Sequence, residues 1–192
     1  MPYLIAGLVL FLGVHSIRIV AEDTRTRLRA QWGENAYKGM YTLLSLLGFG
    51  LIVWGFGVAR ETPSVLWMPP TGMRHLASLL TLVAFVFLAA AYIPGNAIKA
   101  RVHHPMVLSV KTWALAHLLA NGTVAHVLLF GSFLLWGVLC FMASRRRDRV
   151  QAVVYAAGTV PGTVATVVVG IVGWALFTFY LHGVLIGIRP LG

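Results

Sequence analysis

Seven histidines serve a chain that holds only five carboxylates: Glu22, Asp23, Glu34, Glu61 and Asp148. Two of the histidines lie inside long apolar stretches. His15 sits in Gly13-Val14-His15-Ser16-Ile17-Arg18, and His117 in Lys111-Thr112-Trp113-Ala114-Leu115-Ala116-His117. Trp113, His117 and Asn121 recur at i, i+4 and i+8, which makes one helix face aromatic and polar. In an apolar helix that face is expected to point into a bundle rather than at lipid. A single histidine so placed is most simply a packed side chain bonded to its neighbours. Two of them on different segments, without carboxylates, have the chemistry of two axial imidazoles on a haem iron. Zinc matches less well, because a catalytic site usually takes three protein ligands.

The remaining histidines sit nearer the ends of apolar stretches. His103-His104-Pro105 lies beside Lys99 and Arg101, a cluster suited either to anionic lipid or to haem propionates. His75, His126 and His182 fall near the opposite ends and read as interfacial side chains. The carboxylates all lie in loops or at helix ends, which excludes a pump built on acids within its spans. It equally excludes a di-iron carboxylate centre. No phosphate-binding loop, dinucleotide motif or nucleophile elbow is present. Cys140 is the single cysteine, so neither an internal disulfide nor a thiolate metal cluster can form.

The elements that must position these groups follow from composition. Apolar residues make up 59% of the 192 and charged residues 10%, where a soluble domain carries about 25% charge. Such a chain cannot cover a water-facing surface, and it is too apolar for disorder. A membrane-crossing helix needs roughly 20 mostly apolar residues. The candidate stretches are Leu4–Val20, Met40–Val58, His75–Ile93, Met106–Ala120, Thr123–Met142 and Val160–His182. None shows the strict alternation of a barrel strand, so each is expected to be a helix that satisfies its own backbone. The expectation is an all-α, polytopic membrane bundle of about six transmembrane helices, in one domain over residues 1–192. Gly131, Gly137, Gly170 and Gly173 are expected at helix-packing positions. The first stretch lacks a basic leader, so it reads as a retained span.

The net charge of +10 fits membrane topology better than nucleic acid, which is not expected as a partner. With the N-terminus outside, the inner side receives Arg18, Arg25, Arg27, Arg29, Lys38, Lys99, Arg101, Lys111, Arg145, Arg146, Arg147 and Arg149. The outer side receives Arg60, Arg74 and Arg189. The positive-inside tendency therefore predicts both termini outside the cytoplasm.

On His15-Ser16 with Arg18, Lys99-Ala100-Arg101 with His104-Pro105, and Trp113 through Gly122, the sequence resembles the NnrU family of membrane proteins. The resemblance covers essentially the whole chain. NnrU proteins are similar to the plastid 15-cis-zeta-carotene isomerase, a haem b membrane enzyme acting on a polyene. The resemblance implies haem b as cofactor, with His15 and His117 as axial ligands. It also implies a bacterial inner-membrane location, with an apolar polyene or a small gaseous ligand as substrate. The family name links it to nitrite and nitric oxide metabolism. The isomerase carries a cysteine three residues before its second ligand, where this chain has Ala114. A looser likeness, at Arg101-Val102-His103-His104-Pro105, is to membrane methyltransferases such as methanethiol S-methyltransferase. After His117, however, this chain has only one acid, Asp148, in what reads as a basic loop. A non-enzymatic scaffold is the third reading.

With the spans as read, His15 lies inward of its helix centre and His117 outward of its own, a depth difference of about 10 Å at 1.5 Å per residue. A shared haem would have to tilt, or a helix would have to shift; otherwise His104 becomes the partner of His15. Arg18 and Arg101 are the expected partners of the propionates, because a guanidinium bonds a carboxylate bidentately.

Overall fold

The computed structural model describes residues 1–191. Its helices are α1 (Pro2–Val20), α2 (Glu22–Trp32), α3 (Glu34–Glu61), α4 (Gly72–Tyr92), α5 (Ala97–Val102), α6 (Pro105–Ala120), α7 (Val124–Val150), α8 (Val160–Leu176) and α9 (His182–Ile186). A single π-helical turn, Phe177–Leu181, joins α8 to α9. Five stretches are long and apolar enough to cross a membrane, namely α1, α3, α4, α7 and Val160–Ile186. Only 17–22% of their apolar windows is buried, and side chains such as Val9 (69% exposed) and Leu43 (62%) turn outward. That surface is compatible with lipid and not with water. The all-α polytopic bundle is thus observed. Its sixth member, α6, has 16 residues, about 24 Å of helix, and is shorter than the other five.

Three boundaries differ from the sequence reading. The segment after α1 is helical because Glu22 and Asp23 occupy the first turn of α2 and Arg29 the last, each suited to the helix dipole. Gly33, at φ +80°, ends it in a conformation that favours glycine. The next helix begins at Glu34 rather than Met40, and a Glu34–Lys38 pair at 2.7 Å one turn apart supports that start. The fifth span does not stop at Met142. It runs on through Arg145, Arg146 and Arg147 to Val150, because arginine is a strong helix former and no glycine or proline interrupts it. Asp148 therefore lies in a helical turn, not in a loop.

The contacts divide the chain into two compact units. The first is Met1–Trp67 with Gly122–Cys140, and the second is Met68–Asn121 with Phe141 onward. The expected single domain spans both, and its last residue, Gly192, lies outside the described residues. In the first unit α1 packs directly on α3. An added Cβ at Gly7 would lie 2.6 Å from the Ile52 nitrogen, at Gly48 2.8 Å from the Phe11 nitrogen, and at Gly55 2.3 Å from the Leu4 nitrogen. Glycine at these positions lets two backbones touch, which is how membrane helices gain dispersion contact.

In the second unit α4 packs on α6 and α8, and small side chains are prominent among the buried ones: Ala77, Ala84, Ala89 and Ala90 of α4, with Ser109, Ala114 and Ala116 of α6. Gly170 and Gly173 of α8 behave as expected, their added Cβ atoms meeting Val86 at 2.7 Å and Phe85 at 3.3 Å. Gly131 does not, since nothing lies within 4 Å of its added Cβ. The corner after α4 is held by Asn96, 2% exposed. Its side chain caps α5 by accepting from the Lys99 nitrogen at 2.7 Å and donates to the Ala90 carbonyl at 3.0 Å. Thr159 bonds back to this corner through its backbone N–H, 2.8 Å from the Gly95 carbonyl.

Candidate functional site

His15 is set by α1 and enclosed by aromatic rings. Its Nδ1 lies 2.7 Å from the carbonyl oxygen of Phe11, one turn earlier. A carbonyl only accepts, so Nδ1 carries the proton and Nε2 carries the lone pair. The ring stacks on Phe11 at 4.2 Å, leans on Tyr41 of α3 at 5.2 Å and meets Trp136 of α7 edge-on at 6.2 Å and 84°. Gly48 of α3 lies against the backbone of Phe11, the residue whose carbonyl accepts from the imidazole.

His117 repeats the arrangement in the second unit. Its Nδ1 lies 2.8 Å from the Trp113 carbonyl, again one turn earlier, and the two rings lie 5.2 Å apart. Asn121, which caps α6, donates from Nδ2 to the His117 carbonyl at 2.9 Å. On the polar face read at i, i+4 and i+8, the His117 and Asn121 side chains are therefore each tied to the backbone one turn back. Ala114 is fully buried, so the face beside His117 carries a methyl group.

A second constellation lies in the same unit. His103 is the centre of a strained γ-turn, at φ +70° and ψ −51°, closed by a 2.9 Å bond from the His104 nitrogen to the Val102 carbonyl. Its ring stacks on Tyr155 at 4.2 Å and 12°, and the Arg145 guanidinium donates to its Nδ1. His104 donates from Nε2 to Asp148 Oδ2 at 2.7 Å, and the Tyr155 hydroxyl donates to the same oxygen at 3.0 Å. Burial, reinforced by the hydrogen bond and charge of Asp148, pushes the Tyr155 phenol above its ordinary range. Four arginines surround Asp148 in sequence, yet its carboxylate bonds a histidine and a tyrosine.

Arg18 is exposed, with Nε 3.6 Å from Glu22 Oε2, and Arg101 is exposed in the last turn of α5. His126 bonds Thr123 at 2.6 Å and packs edge-on against Phe56, while His182 donates to the Ile188 carbonyl at 2.6 Å. Among the described residues, no group of three or more His, Cys, Asp or Glu could hold a metal ion. Sequence reading missed Tyr41 and Trp136 around His15. Phe130, Phe133 and Trp136, spaced by three, mark an aromatic stripe on the fifth span that could have pointed to the latter. It also missed Tyr155 and Arg145.

Trp136 supplies a further test of fit. Its indole Nε1 is buried and lacks a hydrogen-bond partner among the described residues, as expected where a donor faces a bound group. Comparison with known proteins adds one finding: the family described as NnrU protein matches residues 3–190. No curated protein and no solved structure matches.

Proposed function

The chain belongs to the NnrU family, and from that membership we propose that it is an integral membrane protein that binds haem b through His15 and His117. The observation that carries the reading is the pair of identical local arrangements. In each, Nδ1–H is tied to the carbonyl one turn back, which leaves Nε2 as the ligating nitrogen and fixes the ring plane. Metal-binding histidines use this outer hydrogen bond to set tautomer and raise basicity. Bound there, haem would supply a redox-active iron suited to electron transfer, sensing, isomerisation of an apolar polyene or binding of a small gaseous ligand.

His104 is better read as a structural residue than as a ligand, because its Nε2 is engaged by Asp148 at 2.7 Å. Arg18 and Arg101 remain the proposed partners of the propionates. The methyltransferase alternative is disfavoured because Asp148, the one acid after His117, already serves His104 and Tyr155. The proposed setting is a bacterial inner membrane with both termini outside the cytoplasm, and the proposed context is nitrite and nitric oxide metabolism.

Optical spectra of purified protein, oxidised and reduced, test the reading in wild type, His15→Ala and His117→Ala. The wild type should show a low-spin haem, and each variant should lose it or change to a spectrum with one imidazole. A colourless wild type after haem-replete expression would refute haem binding. An unchanged spectrum in His117→Ala would refute that ligand.

A further inference from the structure

The first unit contains a hydrogen-bond donor that the ligand assignment does not use. Trp136, on α7, presents its ring edge-on to His15, at 6.2 Å and 84°. Its Nε1 is buried without a partner among the described residues. Its apolar neighbourhood offers no substitute for water: Phe11 and Phe133 pack together at 5.8 Å beside the same histidine. Among the described residues no backbone carbonyl accepts from it either. A buried indole N–H beside a ligand-bearing histidine is therefore a donor awaiting an acceptor carried by the bound group.

The chemistry of haem b narrows that acceptor. Its rim carries methyl and vinyl groups, which accept no hydrogen bond, and two propionate carboxylates, which do. Of the groups a haem would bring beside His15, a propionate is the one that could accept from the Trp136 N–H. We infer that Trp136 donates its indole N–H to a propionate of the haem held by His15. The inference rests on the haem reading above. It gives the propionate a neutral donor inside the apolar cluster, in addition to the arginines proposed from the sequence. Trp174 provides an internal comparison: its Nε1 is also buried and unpartnered among the described residues, but its ring packs on Phe179 and, among those residues, on no histidine.

The test titrates apo-protein with haemin and with haemin dimethyl ester, whose propionates carry no charge. Trp136→Phe keeps an aromatic ring and removes the N–H. It should weaken haemin binding about tenfold, the scale of a lost hydrogen bond to a charged group, and change ester binding much less. The two-imidazole optical spectrum should remain. Resonance Raman of the haemin complex should show the propionate bending band shifted in Trp136→Phe. In the wild type the same band should shift on N–H to N–D exchange, a readout that needs no variant. Trp174→Phe should change none of these. Equal losses for haemin and ester with an unmoved propionate band would overturn the inference, as would a response shared with Trp174→Phe. Those results leave haem binding standing. A wild type that takes up no haemin would overturn both.

Discussion

Replacing Gly48 with alanine moves a single methyl group into the contact with Phe11, whose carbonyl accepts from His15. The added Cβ would lie 2.8 Å from the Phe11 nitrogen and 3.0 Å from its Cα and Cβ, where ordinary contact begins at 3.4 Å. The obstructing atoms are mostly backbone, so no rotamer change relieves the clash, and α1 and α3 must separate by roughly half an ångström. Overpacking of this kind costs about 1–3 kcal/mol. At roughly 2–4 °C per kcal/mol for a chain of this size, the melting temperature should fall by about 2–12 °C. Gly50, two residues along the same helix, has nothing within 4 Å of its added Cβ. Alanine there should be neutral or stabilising by up to about 1 kcal/mol through helix propensity. Thermal unfolding in detergent, followed by far-ultraviolet circular dichroism, measures both. Equal shifts for Gly48→Ala and Gly50→Ala would refute backbone contact between α1 and α3. If His15 ligates haem as proposed, haem-loaded Gly48→Ala should also show an altered optical spectrum, since Phe11 supplies the carbonyl bonded to His15.

The Asp148 network gives two further expectations. Asp148→Asn, His104→Ala and the double variant form a cycle whose coupling should be about 1–2 kcal/mol, as the two side chains are only 15% and 21% exposed; additive losses would show that the 2.7 Å contact contributes nothing. For Tyr155, whose phenol titrates above its ordinary range in the folded chain, the sign follows from linkage. Below about pH 10 both states hold the proton and the contribution is intact; above it the unfolded state releases its proton first, so stability falls with rising pH. Tyr155→Phe should flatten that alkaline slope in pH-dependent melting, and an unchanged slope would assign it to other groups.

The parts of this architecture set by local chemistry were legible in the sequence. Apolar stretches near 20 residues long marked the spans, and the spacing of Trp113, His117 and Asn121 marked a polar face, on which the His117 and Asn121 side chains bond the backbone one turn back. What escaped reading depends on residues far apart in the chain. His104 and Asp148 are 44 positions apart, and neither stretch signals the other. Asp148 was misplaced because a run of arginines reads as a loop by polarity and as a helix by propensity, and propensity prevails there. The packing role of Gly7, Gly48 and Gly55 was equally hidden: Gly50 and Gly57 lie on the same helix, and only the facing backbone of α1 distinguishes them. Tyr41 and Trp136 reach His15 from two other helices, so its ring enclosure is a tertiary property.

The central claim is that His15 and His117 each present Nε2 to a haem iron. Electron paramagnetic resonance of the oxidised, haem-replete wild type tests it most directly, with histidine-selective nitrogen-15 labelling to identify the coordinating atoms. Ligation by both histidines should give a low-spin ferric signal whose hyperfine couplings report two imidazole nitrogens, reduced to one in either alanine variant. A ferric signal without histidine couplings, or with two that survive both substitutions, would contradict it.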